Sequence, residues 1–126
     1  MKFARLVFLL AGIYGFIVLT PMYFLEERMG RDLPPPINHP EYYYGFIGVA
    51  LACQVFFLII SRDPVRFRPM MIPAVLEKAA FGIPVFILFF ENRTSFLTLV
   101  AATPDLVLGT LFFLAFLKTR SYQLST

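Results

Sequence analysis

Tryptophan is absent from this chain, cysteine and histidine occur once each, as Cys53 and His39, and only 15% of the residues are charged. A single Cys and a single His exclude disulfide frameworks, zinc clusters, iron–sulfur sites and bis-histidine haem ligation, because each needs several such side chains. No nucleophile with a companion base, no glycine-rich phosphate loop and no metal-ligand set can be assembled from what remains. The sequence therefore predicts no catalytic residue, no cofactor and no metal. The shortage of charge has a counterpart in hydropathy. A soluble domain carries roughly 25% charged and 45–50% apolar residues, whereas this chain is 59% hydrophobic with a mean hydropathy of +0.75. That is the composition of a membrane protein, and 126 residues leave room for one domain.

The apolar residues fall into four blocks, from about Phe3 to Leu25, Tyr42 to Ile60, Pro69 to Phe90 and Phe96 to Leu117. Each is long enough to cross a ~30 Å hydrocarbon core. Backbone groups in lipid must be bonded within their own segment, so each block reads as a helix. The first opens with Lys2 and Arg5 like a signal peptide, but its apolar stretch is too long and no A-x-A site follows, so it is expected to remain as a span. Short connections after the first make sequence neighbours antiparallel neighbours. The expected fold is an all-α, four-transmembrane-helix, up-down-up-down bundle spanning residues 1–126 as a single domain.

Lysine and arginine set the expected orientation. One side holds Lys2, Arg5, Arg62, Arg66, Arg68, Lys118 and Arg120, and the other Arg28, Arg31 and Arg93, with Lys78 inside a span. Seven against three places both termini in the cytoplasm. The net charge of +3 then reflects membrane-surface anchors, Arg62, Arg66 and Arg68 above all, and not a nucleic-acid surface. Tyr42, Tyr43 and Tyr44 stand in for the missing Trp as an aromatic belt at the opposite interface. Between Glu26 and Glu41, four prolines from Pro34 to Pro40 predict a stiff extended strap. Pro40 and Glu41 suit the start of the second span, with Asn38 or His39 as its cap. His39 reads as a capping or packing residue, and Asn92-Arg-Thr94, though it matches a glycosylation pattern, lies in a loop too short and too close to the membrane to be assigned a modification.

Small residues at contact spacing (Ala11 and Gly15; Gly48 and Ala52; Ala102, Gly109 and Ala115) predict close helix approach. Thr103-Pro104-Asp105 either breaks the fourth span or kinks it with Asp105 turned inward. Glu77, Lys78 and Asp105 are the ionisable residues inside the spans. At a cost of at least ~2.5–3.5 kcal/mol each, such residues point into a bundle, as an ion pair or as a ligand site. Glu77 and Lys78 diverge by ~100° around their helix, so the two are expected to face different neighbours. Helical rise brings Lys78 within ~6 Å of the depth of Asp105, and the expected pair is Lys78 with Asp105, Glu77 facing another helix or a polar pocket.

The stretches His39-Pro-Glu-Tyr-Tyr-Tyr-Gly-Phe-Ile-Gly48, Arg62-Asp-Pro-Val-Arg-Phe-Arg-Pro69 running into Pro73-Ala-Val-Leu-Glu-Lys78, and Asp105-Leu-Val-Leu-Gly109 resemble small uncharacterised bacterial four-helix membrane proteins. The layout is similar to DoxX-like proteins in helix number and size. The resemblance implies the fold and attaches no chemistry to particular residues. Two functions are expected. The first is a non-enzymatic accessory or scaffolding subunit in the bacterial inner membrane, packing its Phe-rich faces on another membrane protein or on itself. The alternative is a binding or transport bundle with an interior site for a cation, an amine or a lipid at Glu77 and Asp105.

Overall fold

A computed structural model describes residues 2–124, and among them it contains helices and turns but no strand. Four segments are long and apolar enough to cross a membrane: Lys2–Phe24, Pro40–Arg62, Arg68–Phe90 and Phe96–Tyr122. The α-helices are α1 (Lys2–Leu19), α2 (Glu26–Asp32), α3 (Pro40–Arg62), α4 (Met71–Phe90) and α5 (Phe96–Leu124).

Proline and charge explain where the boundaries depart from expectation. Pro21 has no N–H for the carbonyl of Ile17, so α1 stops at Leu19 and the span is completed by a tighter 3-10 turn, Thr20–Phe24. The segment after it is not all strap. Glu26 and Glu27 open α2, Arg31 closes it, and Arg28 pairs with Asp32 at 3.5 Å. These charges complement the helix dipole and the i,i+4 spacing, and no proline intervenes before Pro34. The proline strap is thus confined to residues 33–39. It folds back on α2 so closely that a Cβ at Gly30 would lie 3.2 Å from the Cα of Pro36. His39 occupies the cap position of α3 but contributes no side-chain cap, its Nδ1 lying 3.2 Å from the Glu41 carboxylate instead.

The turn between α4 and α5 closes on Asn92, whose φ of 59° is left-handed. Asn92 N–H donates to Phe89 O at 3.0 Å and Arg93 N–H to Leu88 O at 2.8 Å, the two bonds of a Schellman cap. Asn92 is therefore a backbone device. Helix α5 runs unbroken past Pro104 and on beyond Leu117. Thr103 is not a cap there: its hydroxyl donates to Leu99 O at 3.0 Å inside the helix.

The bundle is built as two tight pairs, α1 on α3 and α4 on α5, joined by α1 against α5, while α3 and α4 touch only sparingly. Phe8, Phe57 and Phe112 form the core, Phe8 stacked on Phe112 at 4.2 Å and Phe57 edge-on to Phe112 at 4.9 Å. Ala4, Ala11, Ala74 and Ala115 fill in around these rings. Lys118 lies 4.1 Å above the ring of Phe3, so the start of α1 and the last turns of α5 share one end of the bundle. Ala11, Gly15, Ala102 and Ala115 are buried as the small-residue spacing predicts, but Ala52 is exposed and Gly48 faces only the Tyr23 hydroxyl at 3.5 Å. The face of α3 that packs is Ile47, Ala50, Gln54 and Phe57, two residues round the helix.

Candidate functional site: a lateral groove ending on a charged triad

Because α3 and α4 separate along much of their length, a groove of about 580 Å³ opens between them. From α3 it is lined by Glu41, Tyr42, Gly45, Phe46, Val49, Ala50 and Cys53, residues that recur at helical spacing along one face. From α4 come Glu77, Ala80 and Phe81. Glu41 and Tyr42 mark its mouth at the strap end, and the rise from Glu41 to Cys53 gives a length of ~18 Å along the helix axis. Phe46 and Phe81 face each other at 5.7 Å between ring centres. A Cβ at Gly45 would meet nothing within 4 Å, which marks the open floor of the groove.

A charged triad lies at the groove's inner end, with Glu77 as its one lining member. Lys78 is 4% exposed and its ammonium lies 3.3 Å from Asp105 Oδ1 and 3.6 Å from Glu77 Oε2, with the Phe57 ring 5.2 Å away. The pair across α4 and α5 is thus present, but Glu77 and Lys78 are not directed to separate neighbours. Their Cα–Cβ bonds diverge, yet the four-carbon lysine stem bends back to its neighbour's carboxylate, so one ammonium serves two acids. Close approach on α5 makes this possible: Gly109 leaves room for the lysine stem, a Cβ there coming 3.1 Å from Lys78 Cβ.

Glu77 lines the groove, whereas Asp105 does not. A cavity walled by both carboxylates was the expectation, and it is corrected to one walled by Glu77 alone with Asp105 behind Lys78. The 3.6 Å from Lys78 is too long for a hydrogen bond, and Glu77 Oε2 is buried without any bonded donor among the described residues. Three His, Cys, Asp or Glu side chains suited to a metal do not converge anywhere among the described residues. What the arrangement offers is an apolar, aromatic trough with one acidic residue, Glu77, in its wall at depth and that residue's Oε2 buried behind it.

The expected surface residues divide. Arg62 and Arg66 are exposed. Arg68 turns inward, its Nε donating to Phe116 O at 2.9 Å and its guanidinium lying 3.8 Å above the Phe116 ring. It therefore clamps the chain before α4 onto α5. Among the tyrosines, Tyr42 is 71% exposed and stacks on His39. Tyr43 donates to Met22 O at 2.6 Å and Tyr44 to Glu26 at 2.9 Å, which fastens α3 to the first span and to α2.

Gln54 is a structural element of the α1–α3 seam and not a member of the polar network around Lys78. It is buried to 1% exposure against Gly15, where its amide fills the space a Cβ would need; its Nε2 donates to Ala50 O at 2.8 Å and its Oε1 accepts no hydrogen bond among the described residues. Its i+7 spacing from Ile47 on the packed face was the available signal. Comparisons with protein-family models, with curated proteins and with solved structures return no match for this chain.

Proposed function

We propose that this is a non-enzymatic integral membrane protein of a bacterial inner membrane that binds a hydrophobic ligand in the groove between α3 and α4, with both termini in the cytoplasm. The observation that carries the reading is the groove itself, an apolar trough of about 580 Å³ that ends at Glu77, whose Oε2 is buried beside Lys78. Its volume falls in the ~300–1,000 Å³ range of small-molecule sites, which combine apolar walls with a few polar groups that fix orientation. The seven-to-three excess of Lys and Arg at the end of the bundle shared by the start of α1 and the last turns of α5 supports that orientation.

Cys53 lines the groove and is the chain's sole cysteine, so its thiol reports on occupancy. Long-chain amphiphiles should slow alkylation of Cys53 by monobromobimane in protein held in zwitterionic nanodiscs. Gly45→Leu, placed where a side chain meets open space, should narrow the groove and remove that protection while the helix content stays unchanged. Alkylation insensitive to every amphiphile tried, in the native chain and in Gly45→Leu alike, would defeat the proposal.

A second reading, an accessory or scaffolding subunit packed on another membrane protein or on its own copy, is favoured by aromatic rings left bare near the strap end. Phe24, Phe90 and Phe96 are 85%, 77% and 67% exposed. Mass measurement on gently solubilised protein tests it, a strictly monomeric, partner-free particle being the result against it.

A further inference from the structure

We infer that the ligand of the groove is a hydrophobic monovalent cation, an organic ammonium or phosphonium, whose charge is taken by Glu77 while Asp105 retains Lys78. The inference rests on the groove reading above and adds the charge of the occupant. The triad of Glu77, Lys78 and Asp105 holds two carboxylates and one ammonium within 3.6 Å, so with both acids ionised it carries a formal charge of −1. Lys78 is 4% exposed and does not line the groove, so no cationic side chain of the triad meets an occupant. Glu77 does meet it, and the mouth carries a second acid, Glu41. An anionic head would face two carboxylates and no compensating cation. A cationic one would supply the charge that the triad lacks.

The walls favour the same class. Tyr42, Phe46 and Phe81 line the groove, and aromatic faces attract alkylated cations that carry their charge on an apolar body. A small hydrated metal ion is a poor fit, because Glu77 is the sole carboxylate at depth and no group of three metal-ligating side chains converges among the described residues. Asp105 has a positioning role. At 3.3 Å it holds the ammonium more closely than Glu77 does at 3.6 Å, so Glu77 can turn to a ligand without stranding Lys78. With Asp105 neutralised, Lys78 has only Glu77 and competes with the ligand for it.

The test uses two probes of similar shape, tetraphenylphosphonium and the uncharged triphenylphosphine oxide, bound to the full chain in zwitterionic nanodiscs with empty nanodiscs subtracted. The cation should bind saturably, one per chain, at least tenfold more tightly than the neutral probe. Glu77→Gln should weaken the cation at least tenfold and leave the neutral probe unchanged, and Asp105→Asn should weaken the cation at least threefold. Retained binding of the neutral probe shows that each variant is folded, and Gly45→Leu should abolish both probes. Equal affinity for the two probes, or a cation affinity indifferent to Glu77→Gln, would overturn the cation inference while leaving the groove intact. If neither probe binds and Cys53 alkylation responds to no amphiphile, the groove reading fails with it.

Discussion

Removing the carboxylate of Asp105 tests whether the triad holds the α4–α5 pair together. At 3.3 Å and an effective dielectric of ~20, Coulomb's law gives about 5 kcal/mol of attraction between Asp105 and Lys78, with a slightly smaller value to Glu77 at 3.6 Å. Breaking one side of a buried pair costs ~3–5 kcal/mol because it strands the partner. Here the partner is not wholly stranded, since Glu77 stays beside it. Asp105→Leu should therefore lie at the low end, about 3 kcal/mol. Lys78→Met alone leaves two carboxylates facing one another and should cost a similar amount. The double variant removes the ammonium together with one acid, so it leaves neither a stranded ammonium nor two facing carboxylates. Its loss should fall short of the sum of the single losses by at least ~1.5 kcal/mol, well above the ~0.3–0.5 kcal/mol scatter of independent sites. The assay is reversible unfolding in mixed micelles by rising dodecyl sulfate fraction, followed by far-ultraviolet circular dichroism. Additive losses would refute the reasoning.

Other consequences follow from the same contacts. Gly15→Ala should cost ~1–3 kcal/mol in that assay, because the new methyl displaces the buried Gln54 amide; Gln54→Ala introduced with it should recover most of the loss, and no recovery would mean that the clash is not with Gln54. Arg68→Lys should lower stability by about 1–2 kcal/mol through the lost stacking on Phe116 and the lost guanidinium bond to its carbonyl. The same variant should scarcely change adsorption of anionic lipid, whereas Arg62→Gln with Arg66→Gln should weaken it; a lipid effect of Arg68→Lys equal to theirs would return Arg68 to the membrane surface. Asn92→Gly should be tolerated and Asn92→Val should cost ~1–2 kcal/mol, the penalty for a branched side chain in left-handed backbone. Equal melting temperatures for the two would show that the cap is not needed.

The four spans were legible because hydropathy is a local sum: any 20-residue window declares itself whatever it packs against. The contact of Lys78 with Asp105 was legible for a related reason, since depth is fixed by a constant rise per residue and few charges lie at that depth to choose from. Rotation about the helix axis is a different matter. Gly48 and Ala52 have the small-residue spacing of a contact face, yet the face that packs is Ala50 and Gln54, and only the partner helix decides between two such stripes. The inward turn of Arg68 was hidden for the same reason, as its partner Phe116 lies 48 residues away. The strap was misjudged at its start because four prolines dominated the reading of a segment whose first seven residues carry good helix charges and none of the prolines.

The groove exists because close approach is available at two helix seams and missing at a third. Gly12 and Gly15 let α1 settle on Leu58 and Gln54 of α3, where any Cβ would collide. Gly82 and Gly109 do the same between α4 and α5, against Leu106 and around the Lys78 stem. In lipid, where no hydrophobic force draws helices together, such contacts decide which pairs close. Along the line where α3 faces α4, the small residue Gly45 meets nothing and the ring pair of Phe46 and Phe81 stands between the two backbones. Each helix is also held from its far side, α3 by the Tyr43 and Tyr44 bonds to the first span and α2, α4 by Lys78 reaching Asp105. The seam therefore stays parted, and of the two acids beside Lys78 the one held less closely, Glu77, is the one that lines the opening.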